Sequence, residues 1–190
     1  MVIGTKDQDN IHIYGSEDDT LWLAQLGTTL PTGLGDPGDA FNDVGFTGES
    51  GFDLNREDDV QAFKVHQAGK TVRKKVTSSS TSLVFRTVEE NETTDKLADN
   101  IVATETAGLV TTQTISSARK VQTYAAVLDL YDDGIMVRRA IPRFEVAGGG
   151  TETFSNSALT EREFTGEIIG DHFKIVGPVP EPEPAPGSGE

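Results

Sequence analysis

The three histidines, His12, His66 and His172, stand alone in the sequence. None belongs to an HExxH segment or to a pair four residues apart, so they supply no helical zinc site. No serine occupies a GxSxG nucleophile elbow, and cysteine is absent, which removes thiolate zinc sites, disulfides and cysteine nucleophiles. Each histidine therefore reads as a surface or strand-edge residue. Carboxylates number 31 in 190 residues, and that abundance makes any chosen pair uninformative about glycosidase-type acid and base chemistry. Asp36, Asp39 and Asp43 in GDPGDAFND come nearest to a hard-cation loop, but their spacing departs from D-x-[DN]-x-[DN]-G. A solvated turn cluster is the expectation there and a cation site the alternative. Asn91-Glu92-Thr93 has the glycosylation pattern, yet it falls in a helix-like segment, and the charged start MVIGTKDQDN does not read as a secretion signal. No catalytic residue, metal ion or cofactor is expected, and no enzymatic activity.

Two charged groups say more. Lys70-Thr71-Val72-Arg73-Lys74-Lys75 places four cations within six residues of strand-like sequence, so their side chains point to both sides of the pleat. A strand packed on a core does not tolerate that. The pattern suits a projecting arm met by a partner on both sides, with a solvated hairpin tip as the plain alternative. Aromatic residues are not interleaved with the cations, so a protein contact ranks above a nucleic-acid one. In EREFTGEII, Arg162, Phe164, Gly166 and Ile168 share one face of a strand, and Glu161, Glu163, Thr165, Glu167 and Ile169 the other. Three carboxylates on one face make either a solvent face or the lining of something that must not hold anions.

The charge around these groups is segregated. Residues 1–59 carry thirteen acids against two bases, a net −11; residues 60–86 carry six bases and no acid; residues 87–190 are again acidic at −10, for a total of −15. Such a chain repels nucleic acid over most of its surface, so it can serve as a passage for DNA but not as a clamp. The opposite-sign segments invite pairing within or between subunits. No apolar run approaches the length of a membrane span.

The elements that position these residues are mostly strands, expected at 60–66, 70–76, 81–88, 121–131, 135–146 and 161–169. Asp133-Gly134 predicts a type I′ hairpin between two of them. Ile135, Val137 and Ile141 are apolar at odd positions whereas Phe144 and Val146 are apolar at even ones. A bulge near Pro142 is therefore expected to shift the register. One helix is predicted over 89–100, with acids in its first turn and Thr94, Leu97, Ala98 and Ile101 at helical spacing. Residues 24–43 and 147–158 read as loops, the second because of the flexible triplet Gly148 to Gly150, and residues 178–190 read as an extended Pro/Glu-rich tail.

An ordered series of segments resembles the major tail tube proteins of long-tailed, non-contractile bacteriophages. The series opens with LWLAQLGTTLPT at residues 21–32, similar to that family's opening strand and its Gly-Thr and Leu-Pro-Thr loop. It continues with FNDVGFTGESG at 41–51, then a strand, a basic arm and a second strand that ends in SLVFRTVEEN at 82–91, before the helix. The hairpin from Val127 to Ile141 and the closing strand from Arg162 to Ile169 complete it. The order and spacing over about residues 20–176 carry the likeness, since each piece alone is weak.

The resemblance implies a mainly β, sandwich or barrel-like domain over residues 1–177 with one flanking helix and long loops, of which 1–19 form an N-terminal extension or arm. It implies a structural virion protein whose hexameric rings stack into a hollow tail tube that delivers phage DNA. Its partners would be further copies of itself, the tape measure, tail tip and tail terminator proteins, and DNA in transit; it would be made in the host bacterial cytoplasm. On this reading Lys70, Arg73, Lys74 and Lys75, with Asp58 and Asp59, make contacts between subunits or rings, and Glu161, Glu163 and Glu167 line the lumen. Some members of that family carry an added immunoglobulin-like module, of which this sequence shows no sign. The rival reading is a monomeric β-sandwich surface or carbohydrate-binding module, with Trp22 and Tyr14 as sugar platforms.

Overall fold

A computed structural model of the chain describes residues 11–66, 69–152 and 154–181. The elements are β1 (Thr20–Gln25), β2 (Asn42–Asp43), β3 (Thr47–Lys64), β4 (Thr71–Thr87), α1 (Glu92–Ala98), β5 (Ile101–Ala107), β6 (Val110–Ile115), β7 (Gln122–Asp132), β8 (Ile135–Glu152), β9 (Arg162–Ile168) and β10 (Phe173–Pro178). The main sheet runs β2-β1-β7-β8-β9-β4-β3, β10 adds to β8, and β5 and β6 form a separate hairpin. All pairings are antiparallel. The architecture is mainly β, sandwich-like and not closed into a barrel.

The organising element is the β7–β8 hairpin. Asp133 and Gly134 both take positive φ, 43° and 78°, as a type I′ turn requires, and the turn sets Asp132 opposite Ile135. Farther along, Ala126 faces Ile141 but Tyr124 faces Phe144, so two residues of β7 span three of β8. This is the expected bulge at Pro142, which has no N–H to lose from the ladder. It turns Ile141, Phe144 and Val146 into one core, where all three are fully buried. Strand β8 changes its outer partner at the same place, pairing β10 before the bulge and β9 after it. Leu21, Leu23, Ala126 and Leu128 from β1 and β7 thereby share a core with Leu83, Phe85 and Phe164 from β4 and β9. Helix α1 closes this core with Leu97.

Gly166 is required by close packing. A Cβ there would lie 2.0 Å from Cζ of Phe144, and the ring, itself fully buried, has no free volume to enter. Gly166→Ala is expected to destabilise the fold by about 1–3 kcal/mol. Urea unfolding would show this as a lower midpoint at unchanged slope, and an unaltered midpoint would contradict the packing described.

Several expectations need correction. The runs predicted at 60–66, 70–76 and 81–88 belong to one hairpin of two long strands, which starts at Thr47. The Ser/Thr stretch that seemed to interrupt it continues β4, because a bulge at Thr77 is tied by its hydroxyl to the Asp59 carbonyl (3.1 Å). The triplet Gly148 to Gly150 is not a loop, since β8 runs on to Glu152. It pairs irregularly with β9 so closely that a Cβ at Gly150 would lie 3.0 Å from the Glu163 carbonyl oxygen, and glycine permits that approach. The helix is shorter than 89–100: the Asn91 side chain accepts from the N–H groups of Thr93 and Thr94, the Thr94 hydroxyl accepts from Asn91 N–H, and Asp99 is already extended. The loop expected at 24–43 yields Ala24 and Gln25 to β1 and Asn42 and Asp43 to β2. Strands β5, β6 and β10 were not anticipated. Strand β10 ends at Pro178, where Val179 N–H donates to the Gly134 carbonyl (2.9 Å); residues 182–190 of the predicted tail, and residues 1–10 of the predicted extension, lie outside the described residues.

Candidate assembly surfaces

Strand β9 covers β4 only over Ser82–Thr87. Beyond that point β3 and β4 pair, among the described strands, with each other alone, and every residue of Asn55–Lys64 and Thr71–Ser80 is exposed. The result is an arm of about 30 Å at the usual rise per strand residue. Lys70 lies at its turn, and Arg73, Lys74 and Lys75 stand opposite Phe63, Ala62 and Gln61. Lys74 therefore points to one side of the ribbon, and Arg73 and Lys75 to the other. The period-two argument from sequence is thus met by an arm with two wet faces. Among the described residues none of these four cations forms an ion pair. Asp58 and Asp59 sit on the same arm opposite Ser79 and Ser78, and Asp59 accepts a hydrogen bond from the Ser78 hydroxyl (2.7 Å). They do not pair with the basic tip of their own chain.

The core side of β9 is formed by Phe164, Gly166 and Ile168, which leaves Glu163, Thr165 and Glu167 on the outer face. Register places Asn55, Ser82, Glu167 and Glu145 in one row across four strands, and Arg86 beside Glu163. Arg86 forms an ion pair with Glu163, and Arg143 donates to Glu145 (2.7 Å), while Glu167 is exposed and unpaired among the described residues. Glu161 precedes the strand and lies against Gly48, whose missing side chain makes room for it. The face is thus acidic but partly compensated. Sequence reasoning missed Glu145, Arg86 and Arg143, which only the strand order brings to it.

Arg162 anchors the start of β9. Its guanidinium donates to Glu152 and Asp95 (both 2.7 Å) and lies 3.4 Å from Glu90. Burial works against its charge, but these carboxylates outweigh burial and raise its pKa. The contact ties α1 to the β8–β9 edge.

A second acidic surface surrounds the start of β1. Two clefts of about 490 and 830 Å³ share Glu17, Thr20 and Asp43; the first adds Asp19 and Glu89, the second Asp18 and Asp36. No cation among the described residues forms an ion pair with any of these carboxylates. Burial pushes the Asp19 carboxyl up from its ordinary value, against the opposing hydrogen bond from Tyr131 N–H (2.7 Å).

The remaining candidates are dispersed. Asp36 accepts from Gly38 N–H and Asp43 from the Thr20 hydroxyl and Gly45 N–H, so both brace their own turns. Among the described residues no three carboxylates or histidines converge as metal ligands. Trp22 packs against Ala24, Phe41 and Val127 under the 26–41 loop, and Tyr14 stacks on His12 with ring centroids 6.0 Å apart; the two do not form a common platform. Asn91 is the helix cap. Among the described residues no helix is long and apolar enough to cross a membrane.

One residue that sequence reasoning passed over locks the long loop down. Arg138 on β8 faces Asp129 on β7 and binds it through two hydrogen bonds of 2.7 Å, with both side chains almost wholly buried. Its Nη1 donates to the carbonyls of Gly33 (2.8 Å) and Gly35 (2.6 Å). The register set by Asp133-Gly134 was the available signal.

No curated protein matches the sequence. The family model of phage tail tube proteins matches residues 10–161, which span the β1 face, the two-faced arm, the helix and the central hairpin. The chain belongs to the phage tail tube protein family.

Proposed function

We propose that six copies form a ring, that rings stack into the hollow tail tube, and that phage DNA is delivered to the host through its lumen. The observation that carries this reading is the exposed arm whose cations form no ion pair among the described residues, in a member of a structural tail family. Charges left uncompensated in the subunit are complementary between subunits. The arm, with Asp58 and Asp59 at mid-length, engages a neighbouring copy, its basic tip meeting the acidic surface around Glu17, Asp18 and Asp43. The tape measure, tail tip and tail terminator proteins are the other partners, synthesis takes place in the host bacterial cytoplasm, and no catalytic step or cofactor is involved. Residues 1–177 serve as the tube unit and 178–190 as an appendage to it.

Glu161, Glu163 and Glu167 line the lumen on this reading, together with Glu145, so that a polyanion slides without adhering. Replacing the three by lysine is expected to leave tubes intact and slow DNA release by about tenfold. The loss of the half-exposed Arg86–Glu163 pair costs under about 1 kcal/mol. Fluorescence of a DNA-binding dye during triggered ejection reads the rate, and a normal rate through intact tubes would remove these residues from the lumen.

A further inference from the structure

Natural proteins guard exposed strand edges with charge, proline or a covering element. Most edges in this fold are guarded. The outer edge of β3 carries Arg56, Glu57, Asp58 and Asp59; β5 carries Glu105; β10 carries Lys174 and Pro178; β2 has only two residues. Two edges are not. Along Val76–Thr81, with the sequence VTSSST, β4 is bonded to β3 on one side and to no described strand on the other. Along Val110–Ile115, with the sequence VTTQTI, β6 is bonded to β5 and likewise open. Neither stretch contains a charge or a proline, and both have the same length.

The β5–β6 hairpin needs support. Every residue after Ile101 in its two strands is exposed, including Val110 and Ile115, and Leu109 at its tip is fully so. It joins no other described strand. A two-stranded ribbon of this kind is marginal in water, and a third strand gives it lasting order.

We infer that β6 of one copy adds to the open β4 edge of a neighbouring copy, extending the arm into a sheet that crosses the subunit boundary. The inference rests on the tube reading, which supplies a neighbour at close range. Main-chain hydrogen bonds provide the affinity, as in other strand additions. Matching hydroxyl-bearing side chains from the two segments pair across the new ladder without burying a charge. The contact is therefore indifferent to salt, unlike that of the basic tip.

The absence of cysteine makes the test clean. One batch of full-length protein carries a single cysteine at Thr112→Cys, and a second, tagged batch carries one at Ser78, Ser79 or Ser80. The batches are mixed, assembled and oxidised, and mixed disulfides are read by mass on a non-reducing gel. At least one position is expected to cross-link in high yield, since a disulfide needs Cα atoms within about 7 Å. Glu57→Cys on the guarded edge is expected not to. A second variant, Thr112→Lys, places a charge on the open edge opposite Glu105 of its own hairpin, where the fold accepts it. It is expected to raise the protein concentration needed for assembly at least about tenfold. Tubes that form normally from Thr112→Lys, or intact tubes that yield no mixed disulfide at any of the three positions, would overturn the inference. If wild-type protein gives no tubes at all, the tube reading fails and the inference falls with it.

Discussion

Arg138→Met is expected to destabilise the fold by about 3–5 kcal/mol, which is the usual cost of removing one member of a buried ion pair. The reason is what the substitution leaves behind. Asp129 would keep its charge with no cation beside it, in a site where both side chains are almost wholly buried. The carbonyls of Gly33 and Gly35 would lose their donor at the same time, so the loop that covers Trp22 would loosen. In a chain of this size the loss corresponds to a drop in Tm of about 6–20 °C. The double variant Asp129→Leu with Arg138→Met removes both charges and is expected to recover most of the difference. Differential scanning calorimetry on the wild type, the two single variants and the double variant gives the coupling directly. Additive losses would mean that the pair is not the anchor described.

Arg73→Glu, Lys74→Glu and Lys75→Glu together are expected to abolish tube growth and leave the subunit folded. All three side chains stand on an exposed ribbon and make no ion pair among the described residues, so thermal stability should move by less than about 1 kcal/mol. The effect on assembly is larger because every subunit presents the same tip. A tip reversed from positive to negative would face an acidic surface in its neighbour, and like charges brought together cost several kcal/mol at each contact. The reciprocal change, Glu17→Lys with Asp18→Lys, is expected to restore part of the growth when combined with the reversed arm. Light scattering and sedimentation read both outcomes. Normal growth of the reversed variant would reduce the arm to a solvated hairpin.

What the sequence made legible followed from local rules with few exceptions. Asp133-Gly134 announced its turn because two consecutive residues tolerant of positive φ have few other uses between β-branched runs. The switch of apolar parity between Ile141 and Phe144 announced the bulge, since a strand in an ordinary ladder keeps one parity. The two faces of Arg162–Ile168 came from period two alone, as did the two wet faces of the basic arm. The segments that escaped obey no such rule. Strands β5 and β6 have no apolar alternation because almost all of their residues are exposed and no other described strand pairs with them. The glycines at 148–150 looked like a loop because their use, close approach to β9, is a tertiary matter. The outer face of β9 was read as three glutamates, and the strands that add Glu145, Arg86 and Arg143 to it are remote in sequence. The pairing of Asp129 with Arg138 was open to inference, because the turn fixes the register that sets them opposite each other.

The central claim is that this chain is a subunit built to polymerise. Negative-stain electron microscopy of the purified wild-type protein over a concentration series, with and without added salt and with purified tail tips as initiator, tests it most directly. The account predicts hollow tubes or stacks of six-membered rings that become more frequent with concentration and with tips. Protein that stays monomeric at every concentration, even beside the tips, would contradict it and favour a monomeric β-sandwich binding module.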